Sequence, residues 1–145
     1  MVKMKEPGNF ELNRNLFIWN DRVYFTFERD YLPGVHADEF KDTTLDLYST
    51  AMDGRSDKRK EHAFVARATY DLFDEYGNRE AGADNLSVLY DHSTIYYFNK
   101  KGVFKYSLLD KKTSKLSNIL GKRIEATDTE LIITDINGKK HTLKK

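Results

Sequence analysis

Val23-Tyr24-Phe25-Thr26-Phe27 returns along the chain as Ile95-Tyr96-Tyr97-Phe98 and, with fewer rings, as Leu131-Ile132-Ile133-Thr134. Aromatic and β-branched residues in short runs favour the pleated surface of strands, where neighbours point to opposite faces. Val23, Phe25 and Phe27 would then share one face, with Tyr24 and Thr26 on the other. Each copy follows a short polar turn: Asn20-Asp21, Asp91-His92-Ser93 and Thr127-Asp128-Thr129. Polar corners between apolar runs are hairpin signals. The reading is an all-β protein of antiparallel hairpin repeats.

The rest of the chain follows this pattern outward. Phe10 to Trp19 reads as the strand before the first copy. Strands are expected at Leu45 to Thr50, Lys58 to Ala68, Thr69 to Phe73, Leu86 to Tyr90 and Val103 to Leu109. Asp110 to Ser114 reads as a turn before a strand from Lys115 to Leu120. The last expected hairpin joins Leu131 to Asp135 with Lys139 to Leu143 around Asn137-Gly138. Glu28 to Thr44 is polar, carries Pro33-Gly34 and reads as a long loop. No segment has a helical stripe over three turns, and Asp57 to Tyr70 is the best helical candidate by propensity.

Spacing supports repetition. Ile95 and Leu131 lie thirty-six residues apart, as do Tyr70-Asp71-Leu72-Phe73-Asp74 and Tyr106-Ser107-Leu108-Leu109-Asp110. A fixed period of this length suggests stacked or radial units. The expected organisation is one β domain over 1–145. Its first unit is 10–68, with a loop over 28–44; its second is 69–118 and its third 119–145.

Asn20-Asp21-Arg22-Val23-Tyr24-Phe25, followed by Leu47-Tyr48-Ser49-Thr50-Ala51-Met52-Asp53-Gly54, resembles a blade of bacterial β-propellers of the TolB and low-density-lipoprotein-receptor type. Thr94 to Asp110 is similar to a second blade, and the unit ending Ile136-Asn137-Gly138-Lys139 to a third. The resemblance spans Leu16–Leu143, with a poorer fit across Glu28–Thr44 and Glu61–Leu86. It implies propeller-type packing and carries no catalytic residue. Propellers generally close with four to eight blades, so an open curled sheet or half-barrel stands beside it. An α+β fold with a helix near 57–70 is the third alternative.

Composition bounds the function. The profile is that of a soluble globular chain, with nine Tyr, nine Phe and one Trp to fill sheet cores. With no Cys, disulfides and thiolate chemistry are excluded. Met1 to Pro7 has no apolar core and does not read as a signal peptide, and no run reaches membrane-spanning length. The compartment stays open: cytoplasmic, or the mature part of an exported protein. From Lys100 onward there are twelve basic against five acidic residues, net +7, leaving twelve against eighteen, net −6. That asymmetry suits either lysines guarding strand edges or a face for nucleic acid.

Chemical signatures are few. His36 with Asp38 and Glu39 is the one compact His/carboxylate cluster, and it supports a metal-dependent or hydrolytic alternative. Asp53-Gly54-Arg55-Ser56-Asp57 is oxygen-rich, but the twelfth position of a calcium loop would be Phe64 rather than an acid. No phosphate-binding glycine loop or nucleophile elbow occurs. No cofactor or metal ligand is assigned.

The leading expectation is a non-catalytic interaction module that contacts a protein or polymer. Its expected surface is a Tyr-rich strand face with the 28–44 loop: Tyr31, His36, Phe40, Tyr48, Tyr97, Tyr106 and Lys105. Adjacent rings such as Tyr96-Tyr97 favour burial on both faces between layers, whereas the contact-surface expectation takes Tyr48, Tyr97 and Tyr106 to be exposed. Self-association is compatible with such a surface, nucleic acid is an alternative through the basic C-terminal third, and membrane insertion is not expected. A helix-poor circular-dichroism spectrum is the expected outcome for this fold class, and a spectrum dominated by helix would overturn it.

Overall fold

A computed structural model describes residues 11–12, 17–28, 42–67 and 87–145. All regular structure among them is strand, and every pairing is antiparallel. The strands form three separate sheets, none closed into a barrel.

Sheet 1 contains β1 (Glu11–Leu12), β2 (Phe17–Trp19), β3 (Arg22–Glu28), β4 (Asp42–Thr50) and β5 (Arg59–Arg67). β1 and β2 pair successive parts of one edge of β3, with Leu12 opposite Phe27 and Phe17 opposite Tyr24. The sheet is therefore four strands wide. Sheet 2 runs in chain order through β6 (Val88–Asp91), β7 (Thr94–Asn99), β8 (Gly102–Ser107) and β9 (Lys112–Ser117). Sheet 3 has β10 (Gly121–Ala126), β11 (Glu130–Asp135) and β12 (Lys140–Lys144).

The turns follow local chemistry. Asn20 and Asp21 have φ of 51° and 59°, as a two-residue hairpin whose twist matches its strands requires. Asn137-Gly138 is different. Gly138 N donates to Asp135 O at 2.9 Å and Gly138 has φ of 86°, so the loop has three residues with glycine at its left-handed end.

Among the strand starts, those of β4 and β9 depart furthest from expectation. β4 begins at Asp42, because Thr43 and Thr44 already pair with Ala66 and Val65. β9 begins at Lys112: Lys111 adopts φ of 56° and donates its N–H to Ser107 O at 2.8 Å, which closes the turn early. The helical candidate over 57–70 is strand β5 from Arg59 to Arg67; the expected strand at Thr69–Phe73 lies outside the described residues.

The recurring phrase occupies the second strand of each sheet, β3, β7 and β11. In β7 it serves both faces. Ile95 and Tyr97 pack with Tyr24, Leu45, Leu47 and Phe64 of sheet 1. Tyr96 and Phe98 pack with Ile124, Leu131 and Ile133 of sheet 3. Sheet 2 is thus the middle layer of a face-to-face stack. Polar bonds tie sheet 1 to the sheet 2 side: Asn99 Nδ2 donates to Val65 O at 2.6 Å, Lys100 N to Asp42 Oδ2 at 3.1 Å, and Ser87 Oγ to Arg67 O at 2.9 Å. On the other side, a Cβ added to Gly121 would lie 2.8 Å from the Phe98 ring.

The stack has unlike outer faces. The side of sheet 1 turned from sheet 2 carries Val23, Phe25 and Phe27, all buried. The side of sheet 3 turned from sheet 2 carries Arg123, Glu125, Glu130, Thr142 and Lys144 around half-buried Ile132, with Arg123 Nε 3.2 Å from Glu125 Oε1.

His62 of β5 lies at the sheet 1–sheet 2 contact, its ring stacked on Tyr106 at 3.9 Å and 7°. Burial lowers its pKa below the ordinary 6.5. Below that pH the unfolded chain takes up the proton more readily than the folded one. The contribution to stability is complete above pH 6.5 and is lost as pH falls from there toward the folded value. Melting temperature should therefore drop between pH 7 and pH 5, and His62→Gln should reduce that drop. An undiminished drop in the variant would overturn this assignment.

Candidate functional site

The residues best placed for contact with another molecule lie at one end of sheet 3. Asp135 closes β11 and its carboxylate organises the turn. Oδ1 accepts the N–H groups of Asn137 and Lys139, each at 2.9 Å. Oδ2 lies 2.8 Å from Nε2 of His141 across the hairpin. The His141 bond, followed by the backbone bonds, holds the Asp135 carboxyl below its usual range. An ionised carboxylate only accepts, so Nε2 of His141 carries the hydrogen of this bond.

Apolar walls stand beside this pair. Ile136 N donates to Leu120 O at 3.0 Å, which joins the turn to the segment entering β10. Leu120 and Ile136 are 40% and 49% exposed. With Ile119, Asn137, Asp135 and His141 they line an open groove of about 250 Å³. None of these lining residues carries a hydroxyl or thiol, so no side-chain nucleophile stands beside the His–Asp pair. What it provides is an apolar shelf with a polar end.

The residues expected to form a contact surface are mostly placed otherwise. Tyr97 and Tyr106 were expected to be exposed and are buried, at 4% and 2% exposure. Tyr97 stacks on Phe104 with centroids 5.5 Å apart and meets Phe64 at 4.6 Å; Tyr106 lies under His62. Both rings fill the contact between sheets 1 and 2, where two-sided burial requires large planar side chains. Tyr48 is half-buried on the opposite side of sheet 1, stacked on Phe25 at 6.0 Å with Lys58 Nζ 4.7 Å from its ring centroid. Lys105 lies on β8 opposite Tyr96, half-buried on the sheet 3 side. Tyr31, His36 and Phe40, like Asp38 and Glu39, lie outside the described residues.

The other chemical candidates resolve into structure. Asp53 Oδ1 accepts the N–H groups of Arg55 and Ser56 at 2.8 Å, and Oδ2 accepts the Ser56 hydroxyl. These bonds hold the exposed Asp53 carboxyl at about 2. Asp57 is paired with Arg22 at 2.8 Å and Arg59 at 2.6 Å. The oxygen-rich stretch therefore closes a turn. No group of three His, Asp or Glu suited to a metal occurs among the described residues. The basic C-terminal third is spread over several faces: Lys115 approaches Phe104 on the sheet 1 side, whereas Lys144 shares the outer face of sheet 3 with Glu130. No helix among the described residues is long and apolar enough to cross a membrane.

Little in the sequence marked the groove. Its one signal is Ile136, an apolar residue inside the turn Asp135-Ile136-Asn137-Gly138 where polar residues are usual.

The buried tyrosines give a direct test. Tyr97→Ala and Tyr106→Ala should each lower the unfolding free energy by roughly 3 kcal/mol in a urea titration, as large aromatic truncations in cores do. Changes below about 0.5 kcal/mol, the range of ordinary surface substitutions, would return these rings to the surface. No protein-family model matches the chain, and no curated protein matches it.

Proposed function

We propose that this chain is a non-catalytic interaction module that meets a protein or polymer partner at the open end of sheet 3. The observation that carries the reading is the exposed pair Leu120 and Ile136, bonded through their backbones and set beside the His141–Asp135 pair. Large aliphatic side chains held in place at a groove lose little freedom when covered, and their burial favours association. The polar end supplies orientation: the ionised Asp135 keeps the His141 ring fixed beside the apolar pair.

The architecture fits the same role. Three antiparallel meanders stacked face to face, each with the recurring phrase in its second strand, support reading them as propeller-type blades of the TolB-like kind. In such a stack the cores lie between sheets, and the ends and edges are left for contact.

The test is retention of a partner from native cell extract by immobilised wild-type chain and by Leu120→Glu/Ile136→Glu. Wild type should retain a saturable partner that the double variant loses, with unchanged circular dichroism and melting temperature. Equal retention by both, or retention of nothing by either, overturns the reading.

A further inference from the structure

We propose that the outer edge of β12 accepts an extended, acidic strand from a partner, which becomes the fourth strand of sheet 3. This rests on the contact-module reading and names the partner's chemistry and its mode of binding. Among the described residues sheets 1 and 2 are four strands wide and sheet 3 has three, with β12 at an edge. Two bonds fix which groups β12 has to offer. Asp135 N donates to Lys139 O at 2.8 Å, and Lys145 N donates to Thr129 O at 3.2 Å. In an antiparallel ladder the direction alternates residue by residue. His141 and Leu143 therefore turn their backbone groups toward β11. Lys140, Thr142 and Lys144 turn theirs outward, where they have no ladder partner among the described residues.

Side chains specify the occupant. Lys140, Thr142 and Lys144 are exposed on the outer face, whereas His141 and Leu143 are half-buried on the side facing sheet 2. An added strand places its own residues directly opposite these. Acidic residues would meet Lys140 and Lys144, and apolar residues would lie beside His141 and Leu143, next to the groove that His141 lines. A second copy of the same chain is a poor occupant: antiparallel pairing of β12 with itself about Thr142 sets Lys140 against Lys144 twice, and like charges directly opposite repel.

The probe is a short capped peptide in which glutamate alternates with valine, labelled for fluorescence anisotropy, with a lysine-for-glutamate peptide as its counterpart. Wild type should bind the acidic peptide saturably and the basic one at least tenfold more weakly, with binding that weakens as salt rises. Thr142→Pro removes an outward N–H without touching the β11 ladder and should weaken acidic-peptide binding at least tenfold. Lys140→Glu/Lys144→Glu keeps every backbone group and should reverse the preference toward the basic peptide; it decides the matter if the proline variant does not fold. No binding by wild type, equal binding of both peptides, or an unreversed preference overturns strand addition. The interaction-module reading survives such a failure if Leu120→Glu/Ile136→Glu still abolishes partner retention, so the two can fail separately.

Discussion

Tyr96 and Tyr97 are neighbours on one strand and lie in different cores. That alternation is imposed by the pleat, and it means that β7 can leave water only if both of its faces are covered. Ile95 and Phe98 extend the same demand along the strand, and both are fully buried. A sheet with two apolar faces must be an inner layer. The position of sheet 2 between sheets 1 and 3, the pairing of Tyr97 with Phe64, and the seating of Leu131 and Ile133 all follow from this condition.

The same strand position grades from one end of the stack to the other. In β3 it gives Tyr24 to sheet 2 and buries Phe25 on the far side. In β11 it gives Leu131 and Ile133 to sheet 2, while the far side holds Glu130, half-buried Ile132 and Thr134. Side chains facing the preceding side stay apolar throughout, and those facing the following side become mixed at sheet 3. The Arg123–Glu125 pair on that face is half-exposed and supplies solvation more than cohesion. Side-chain donors bonded to main-chain carbonyls, such as Asn99 Nδ2 to Val65 O, then fix how adjacent layers meet.

Much of this was legible in the amino-acid order because it rests on local rules. Alternating rings gave the strands, and Asn20-Asp21 gave a turn whose two residues both tolerate positive φ. What was not legible depends on neighbours distant in the chain. Tyr97 and Tyr106 looked like rings available to a ligand, since nothing near them in sequence reveals that Phe64 and His62 cover them. The start of β9 was missed because Lys111 takes a left-handed conformation that lysine seldom prefers. The groove was hidden for the same reason as the rings. Asp135 meets His141 only after the hairpin folds, and Leu120 meets Ile136 only through a backbone bond between two segments.

Gly121 stands at the first residue of β10, its absent side chain facing the Phe98 ring. The separation of the second and third layers is therefore gauged by the thickness of one benzene ring against bare main chain. A methyl group at that point would act as a shim between the two layers. How closely the third layer seats on the second is thus governed from a position that carries no chemistry of its own.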